Sequence, residues 1–267
     1  MTAGPALRAG TLDLWLVPRP ANGSEDRLDL TDLDAAERKR AASFIRPTDG
    51  LTYAAAHIAL RRLLGVYLDI PPPRVTFLRE PCPGCGESHG RPAVATPHHP
   101  RLHFSLSHSH GMALVGVADR PVGVDVERLP RPATVDACTP ALHPGEQQEL
   151  GALEPGERQE AFGRLWTRKE AFLKGIGTGL SRGPSLDYLG ADPARRPAGW
   201  TVLDLPCGPR HNGAVALKGG PPTASRLRLL PADALFAGGT EALRAEALRA
   251  GAVRAEAAGS GRTPVPA

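Results

Sequence analysis

The chain of 267 residues is poor in aromatics: three Trp, three Tyr and six Phe make up 4% of it, so a core must rest on Leu, Val and Ala. Lysine occurs only at positions 39, 169, 174 and 218, against 28 arginines, which with the abundant alanine reads as compositional bias. Four cysteines are too few in a chain of this length for a disulfide scaffold, and a reducing, cytoplasmic setting is expected. No run of 18 apolar residues occurs, which excludes a membrane-spanning helix of ordinary length. The opening residues lack a charged stretch followed by an apolar one and a cleavage site, so no signal peptide is expected. Charge of one sign is missing as well. Residues 1–123 hold 14 basic and 12 acidic side chains, 124–236 hold 14 and 13, and 237–267 hold 4 and 3. The net +4 is therefore spread evenly, without the concentrated basic face of a nucleic-acid binder. Neither nucleic acid nor membrane is expected as a partner.

What is present in quantity is turn chemistry, with 30 Gly and 28 Pro. Residues 12–17 read as a strand. Thr31 and Asp34 suggest a capping box, with Asp in place of Glu or Gln, opening a helix that runs to about Phe44. A second helix is expected from about Gly50 to Leu68, ending before prolines 71–73. Strands follow at 74–79, 102–108, 112–118 and 122–128, then a helix at about 155–176 and strands at 200–205, 213–218 and 225–230. Helices precede a sheet once in each half, which predicts an α+β fold rather than a parallel one. We divide the chain into an N-terminal half at 1–123, a C-terminal half at 124–236, and an Ala/Arg/Gly-rich tail at 237–267 with little apolar surface to dock, expected to be mobile.

Three stretches carry chemistry. In PVGVDVERL, 121–129, strand alternation puts Val124 and Val126 on one face and Asp125 and Glu127 on the other. Paired carboxylates on a rigid strand suit Mg²⁺, which takes one or two carboxylates and completes its shell with water and phosphate oxygens; a solvated acidic edge is the alternative. In LWTRKEAFLKGIG, 165–177, helical spacing aligns Trp166, Glu170 and Lys174, either as metal ligand and phosphate contact or as an ordinary surface Glu–Lys pair. In RLHFSLSHSHGMALVGV, 101–117, a strand ends in Ser107, His108 and Ser109, where His108 can titrate near neutrality and bond a phosphate or simply be structural.

HGRP, HFSLSHS, VGVDVE and LWTRKEAFLK, in this order, resemble the surfactin-type (Sfp-type) 4′-phosphopantetheinyl transferases over about residues 30–220. The resemblance implies two similar α+β halves related by a pseudo-twofold with the active site in the cleft between them. It implies a monomer that transfers phosphopantetheine from coenzyme A to a serine of an apo acyl, peptidyl or aryl carrier protein and releases 3′,5′-ADP, in polyketide or nonribosomal peptide biosynthesis. Asp125, Glu127 and Glu170 are then expected to hold Mg²⁺, with Ser107 and His108 at the nucleotide end of coenzyme A. Arg40, with Arg46 as a second candidate, is expected at the 3′-phosphate, Arg91 at the nucleotide phosphates and Lys174 at the pyrophosphate. Glu170, Lys174 and His108 form the expected catalytic set. Glu170 can take the proton of the attacking serine directly or through water, but a metal-bound carboxylate is a poor base, so ligand and base need not coincide.

Two departures stand out. The family's arginine-rich stretch after Asp49 is replaced by DGLTYAAAH, leaving one nucleotide contact unassigned. The turn CPGCGESHG offers Cys82, Cys85 and His89 as three of four zinc ligands, with only His98 or His99 for the fourth. A structural knuckle that positions Arg91 is the preferred reading over zinc. Arginines near 128–131 and 158–168 are expected to face an acidic carrier. Two rivals remain: a non-catalytic zinc-knuckle module, and a Mg²⁺-dependent hydrolase of nucleotide diphosphates, the latter without a P-loop.

Overall fold

The computed structural model describes residues 7, 9–95, 102–241 and 243–244, apart from the side chain of Leu180. β1 (Thr11–Pro18) is apolar on both faces, Leu12, Leu14 and Leu16 looking one way and Trp15 and Val17 the other. That is the pattern of a central strand covered on both sides. A short 3₁₀ turn, Leu30–Asp32, precedes α1 (Ala35–Ala42).

The capping box lies three residues later than expected. Asp34 is the cap, accepting from the Glu37 amide at 2.8 Å while Glu37 accepts from the Asp34 amide at 2.9 Å. Thr31 is not available, because its hydroxyl donates to Asp29 at 2.5 Å inside the 3₁₀ turn. The Ser43 hydroxyl bonds the Arg40 carbonyl and closes α1 before Phe44.

α2 (Pro47–Leu68) begins three residues earlier than the sequence suggests, with Pro47 at its first position, and ends at Asp69 in a left-handed conformation. β2 (Phe77–Arg79) and β3 (Pro92–Val94) form a short hairpin around the cysteine turn. Next come β4 (His103–Ser109), β5 (Met112–Ala118) and β6 (Val122–Arg128). Two short helices, α3 (Pro132–Cys138) and α4 (Pro144–Gly151), lead to α5 (Pro155–Ile176). β7 (Trp200–Pro206), β8 (His211–Lys218) and β9 (Ala224–Leu229) complete the elements.

The fold is α+β, with helices outside and sheets inside. One sheet has the order β4-β5-β1-β9 and the other β6-β8-β7. α2 covers one face of the first through Trp15, Val17, Val115 and Val117. The two sheets share a second core of Leu12, Leu14, Leu16, Val122, Val124, Val126, Val215 and Leu217. α5 covers the outer face of the second sheet through Phe162, Leu165 and Phe172. β9 departs from a division at 124–236: it pairs in parallel with β1, so the end of the second half belongs to the first half's sheet. Arg62, buried in α2, fastens this return by donating to the carbonyls of Ala234 and Phe236 while its guanidinium pairs with Asp32 and Asp29. Of the stretch 237–267, Leu243 is buried in the α2 core and Arg244 pairs with Asp69; residues 242 and 245–267 lie outside the described residues.

Candidate active site

The site grows from the way β6 alternates. Its valines enter the core between the sheets, so Gly123, Asp125 and Glu127 turn toward α5. A Cβ at Gly123 would overlap the Ala171 carbonyl oxygen and the backbone of Gly175. Glycine there lets α5 lie directly on the strand, which brings Lys174 onto Asp125 with Nζ 2.6 Å from Oδ1.

β4 lies along the free edge of β6, and its three serines bind across. The Ser105 hydroxyl accepts from the Val124 amide at 3.0 Å. Ser107 donates to Asp125 Oδ1 at 2.7 Å and Ser109 to Glu127 Oε2 at 2.6 Å. Lys174 Nζ also reaches Ser107 at 3.0 Å. The sequence reading placed Ser107 here but assigned nothing to Ser105 or Ser109. The signal was the alternation in HFSLSHS, which sets polar groups at every second position of a strand otherwise buried.

Charge in this row is costly as it stands. Asp125 is 1% exposed, and its Oδ2 has no hydrogen-bond partner among the described residues. Burial raises the Glu127 pKa, and the Asp125 and Glu170 charges add to this against the lowering effect of Ser109 and Lys174. Burial likewise raises Glu170, with Asp125 adding and Lys174 opposing. One ammonium thus serves three carboxylates, and the site has room electrostatically for a divalent cation. The trio shares a face without closing into a shell: among the described residues, only Cys82, Cys85 and His89 bring ligand atoms all within 4.8 Å of one another.

Two cavities flank the row. The larger, about 640 Å³, is lined by Lys174, Arg91, Arg79, His57, His108 and neighbouring residues of β2, β3 and β4. Arg91 is held there by an ion pair with Glu80 at 2.7 Å and by donation to the Gly175 carbonyl at 2.8 Å. His108 packs edge-on to Tyr53, which stacks on His57 at 4.0 Å between ring centres. Burial first, then the charges of His57, Lys174 and Arg40, lowers the His108 pKa, so the imidazole is neutral at pH 7. Arg40 does not line this cavity; it is exposed on α1 with its guanidinium over Phe44. Arg46 is exposed at the start of α2 and is likewise outside it, with its charge felt at His110. Tyr53 and His57, which the sequence reading passed over, stand in the DGLTYAAAH stretch that replaces the arginine-rich one.

The second cavity, about 450 Å³, is lined by Glu127, Arg128, Arg131, His110, Phe162 and Trp166 among others. Of the arginines expected to meet a carrier, Arg158 is spent on the carbonyls of Leu150 and Leu153, Arg164 pairs with Glu160, and Arg168 pairs with Asp204. Arg128 and Arg131 remain at the cavity. Within the WTRKE stretch, Lys169 turns away from the site and pairs with the fully buried Glu146 at 2.7 Å, donating also to the Pro184 and Asp187 carbonyls. The motif therefore splits by helix face: Glu170 and Lys174 lie toward Asp125, and Lys169 anchors the 184–187 loop to α4.

The sequence matches the model of the 4′-phosphopantetheinyl transferase superfamily over residues 121–204, the stretch from β6 through α5 to β7. It is 30% identical over 221 residues to the 4′-phosphopantetheinyl transferase HetI of Nostoc sp., covering 80% of this chain and 90% of that protein. A putative 4′-phosphopantetheinyl transferase of Synechocystis sp. is 32% identical over 174 residues, 64% of this chain and 66% of its own. A 4′-phosphopantetheinyl transferase of Bacillus subtilis is 29% identical over 159 residues, again spanning 66% of that protein's length.

Proposed function

The chain belongs to the 4′-phosphopantetheinyl transferase superfamily, and we infer that it moves the 4′-phosphopantetheine group from coenzyme A to a serine of an apo carrier protein, releasing 3′,5′-ADP. The observation that carries this reading is the row of Ser107, Asp125 and Lys174, with Glu127 and Glu170 beside it, set between two cavities. The larger cavity, with Arg79, Arg91 and Lys174 on its walls, suits the nucleotide and diphosphate of coenzyme A. The smaller, flanked by Arg128 and Arg131, suits the approach of an acidic carrier helix.

Asp125, Glu127 and Glu170 fit a Mg²⁺ ion. Hard oxygen donors, an orphaned buried carboxylate oxygen and two carboxyls with raised pKa all favour a divalent cation there. When bound, Mg²⁺ neutralises the diphosphate oxygens and the charge that builds on the departing nucleotide. The chain's own groups do the remaining work. The carrier serine oxygen attacks the phosphorus that bears the pantetheine arm, and the bond from that phosphorus to the bridging oxygen of 3′,5′-ADP breaks. Lys174 and Arg91 stabilise charge on the phosphates, which matters more in this chemistry than covalent help. A Glu170 free of the ion can accept the serine proton, directly or through water; a metal-bound carboxylate is a poor base, so the ligand and base roles need not fall on one residue. Ser107 orients Asp125, and neutral His108 donates one N–H to the nucleotide end. Arg40 and Arg46 are both exposed and line neither cavity, and the Arg40 charge acts on His108.

The order of the motifs favours the Sfp-type branch, and we propose that the protein acts in secondary metabolism as a cytoplasmic monomer. A 22-residue helix on each of the two antiparallel β5-β4 and β6-β8-β7 arrays supports two halves related by a pseudo-twofold. No helix among the described residues is long and apolar enough to cross a membrane. Calorimetry with coenzyme A, with and without Mg²⁺, tests the site. Binding should strengthen at least tenfold with Mg²⁺, and Glu170→Ala should abolish that gain; unchanged binding in both cases rejects the carboxylate assignment.

A further inference from the structure

The hairpin of β2 and β3 has three residues in each strand, and two-stranded pieces this short are marginal by themselves. Burial does not hold its turn. From Pro81 to His89 every residue is exposed except Cys82. The backbone is nonetheless drawn into a tight knuckle, with the Cys82 amide bonded to the Glu87 carbonyl at 2.7 Å, the Gly86 amide to the Cys82 carbonyl at 2.8 Å, and the Gly90 amide to the Glu80 carbonyl at 2.9 Å. Gly86 takes a φ of 81°, which glycine adopts without strain. All of this gathers three soft or borderline donors at one point. Cys85 Sγ lies 2.9 Å from His89 Nε2, and one ligand atom from each of Cys82, Cys85 and His89 lies within 4.8 Å of the others. Tetrahedral zinc, with bonds of about 2.3 Å to sulfur and about 2.0 Å to nitrogen, needs neighbouring ligand atoms about 3.5–3.8 Å apart, within reach of small rotations here.

We propose that Cys82, Cys85 and His89 bind one Zn²⁺, with the fourth position open to solvent beside the exposed Cys85 and His89. The ion staples a loop in which Cys82 alone is buried from Pro81 to His89, as metals do in small exposed modules. Its position gives it a consequence at the cleft. Cys82 meets Ser181, and Gly84 and Pro83 lie against Thr178 and Gly177, where α5 ends. His89 is two residues from Arg91, whose guanidinium spans Glu80 and the Gly175 carbonyl. Zinc thus fixes the wall of the larger cavity that carries Arg91. This second statement rests on the transferase reading, whereas the metal site does not.

The full chain, expressed without a histidine tag, is loaded with zinc chloride, freed of excess metal by gel filtration and measured by elemental analysis. One zinc per chain is expected. Cys85→Ser and His89→Ala should each drop to well under half, with an unchanged far-ultraviolet circular dichroism spectrum, and Cys138→Ser should retain the metal. Cobalt in place of zinc should give a thiolate charge-transfer band that Cys85→Ser loses. Metal-free protein whose Cys82 and Cys85 react with a thiol reagent at the same rate with and without zinc overturns the site, as does a Cys82–Cys85 disulfide in freshly prepared protein. For the link to Arg91, stripping the zinc should raise KM for coenzyme A at least threefold with kcat held within twofold. An unchanged KM removes that link and leaves the metal content to decide the site.

Discussion

Asp125 combines a requirement and a surplus. Its Oδ1 takes both Lys174 and Ser107, while its Oδ2 is buried with no partner among the described residues. A buried carboxylate oxygen left unsatisfied costs stability, so the arrangement makes sense when a cation completes it. Asp125→Asn keeps the shape and the contact to Ser107 but removes the charge. We expect kcat/KM to fall at least 100-fold while the melting temperature holds or rises, since a buried charge has been removed. Steady-state kinetics beside a thermal melt checks this, and near-normal turnover would clear Asp125 of a metal role. His108 gives a second readout. Burial and the surrounding cations keep it neutral, so its imidazole resonances in the free protein should titrate below the ordinary value of 6.5. Adding coenzyme A should move the midpoint upward as a phosphate comes near. A midpoint at or above 6.5 in the free protein contradicts the description of its surroundings.

Between elements, the junction of β4 and β6 is made by side chains rather than by a backbone ladder. Three serines at alternate positions reach Val124, Asp125 and Glu127 in turn, so the strand that closes the site also orients its acids. Ser105→Ala leaves the Val124 amide without its partner in a buried setting. A loss of about 1–3 kcal/mol in urea unfolding is expected, with the site otherwise intact. α1 is clamped to α2 by Glu37, which lines the larger cavity. Burial raises the pKa of this carboxyl, but hydrogen bonds from His57, Arg61 and the Asp34 amide outweigh it and bring it from 4.5 to about 2. Because the folded value is the lower one, the stabilisation is complete above about pH 4.5 and is lost as pH falls toward 2. Acid unfolding followed between pH 5 and 2 should therefore be shallower in Glu37→Gln than in the unaltered protein; equal slopes would show that the clamp carries no such linkage.

At the level of the whole molecule, the elements most evident in the sequence were those with their own periodicity. β1, β5 and β6, both long helices and the face shared by Glu170 and Lys174 follow from alternation or from the helical repeat. What periodicity does not encode is which sheet a strand joins. β9 reads as an ordinary late strand, yet it crosses back to β1, held by Arg62 and its carbonyl partners across more than 170 residues. Partner choice among like residues is hidden for the same reason. Nothing local shows that Lys169 is locked to the buried Glu146, or distinguishes Arg91 on the cavity wall from Arg40 outside it. The even spread of charge over the chain also concealed its use. Lys174, Arg79 and Arg91 gather on the wall of the larger cavity, and Lys174 also pairs with Asp125.

The central claim is transfer of phosphopantetheine at this junction. Apo carrier proteins of the fatty-acid, polyketide and nonribosomal-peptide classes, incubated with the enzyme, coenzyme A and Mg²⁺, are weighed intact by mass spectrometry. The account predicts that at least one carrier gains a single phosphopantetheine on its serine, that 3′,5′-ADP appears in equal amount, and that Asp125→Ala and Glu170→Ala lose most of the product. No mass gain on any carrier under excess Mg²⁺, or full modification by both variants, would contradict it.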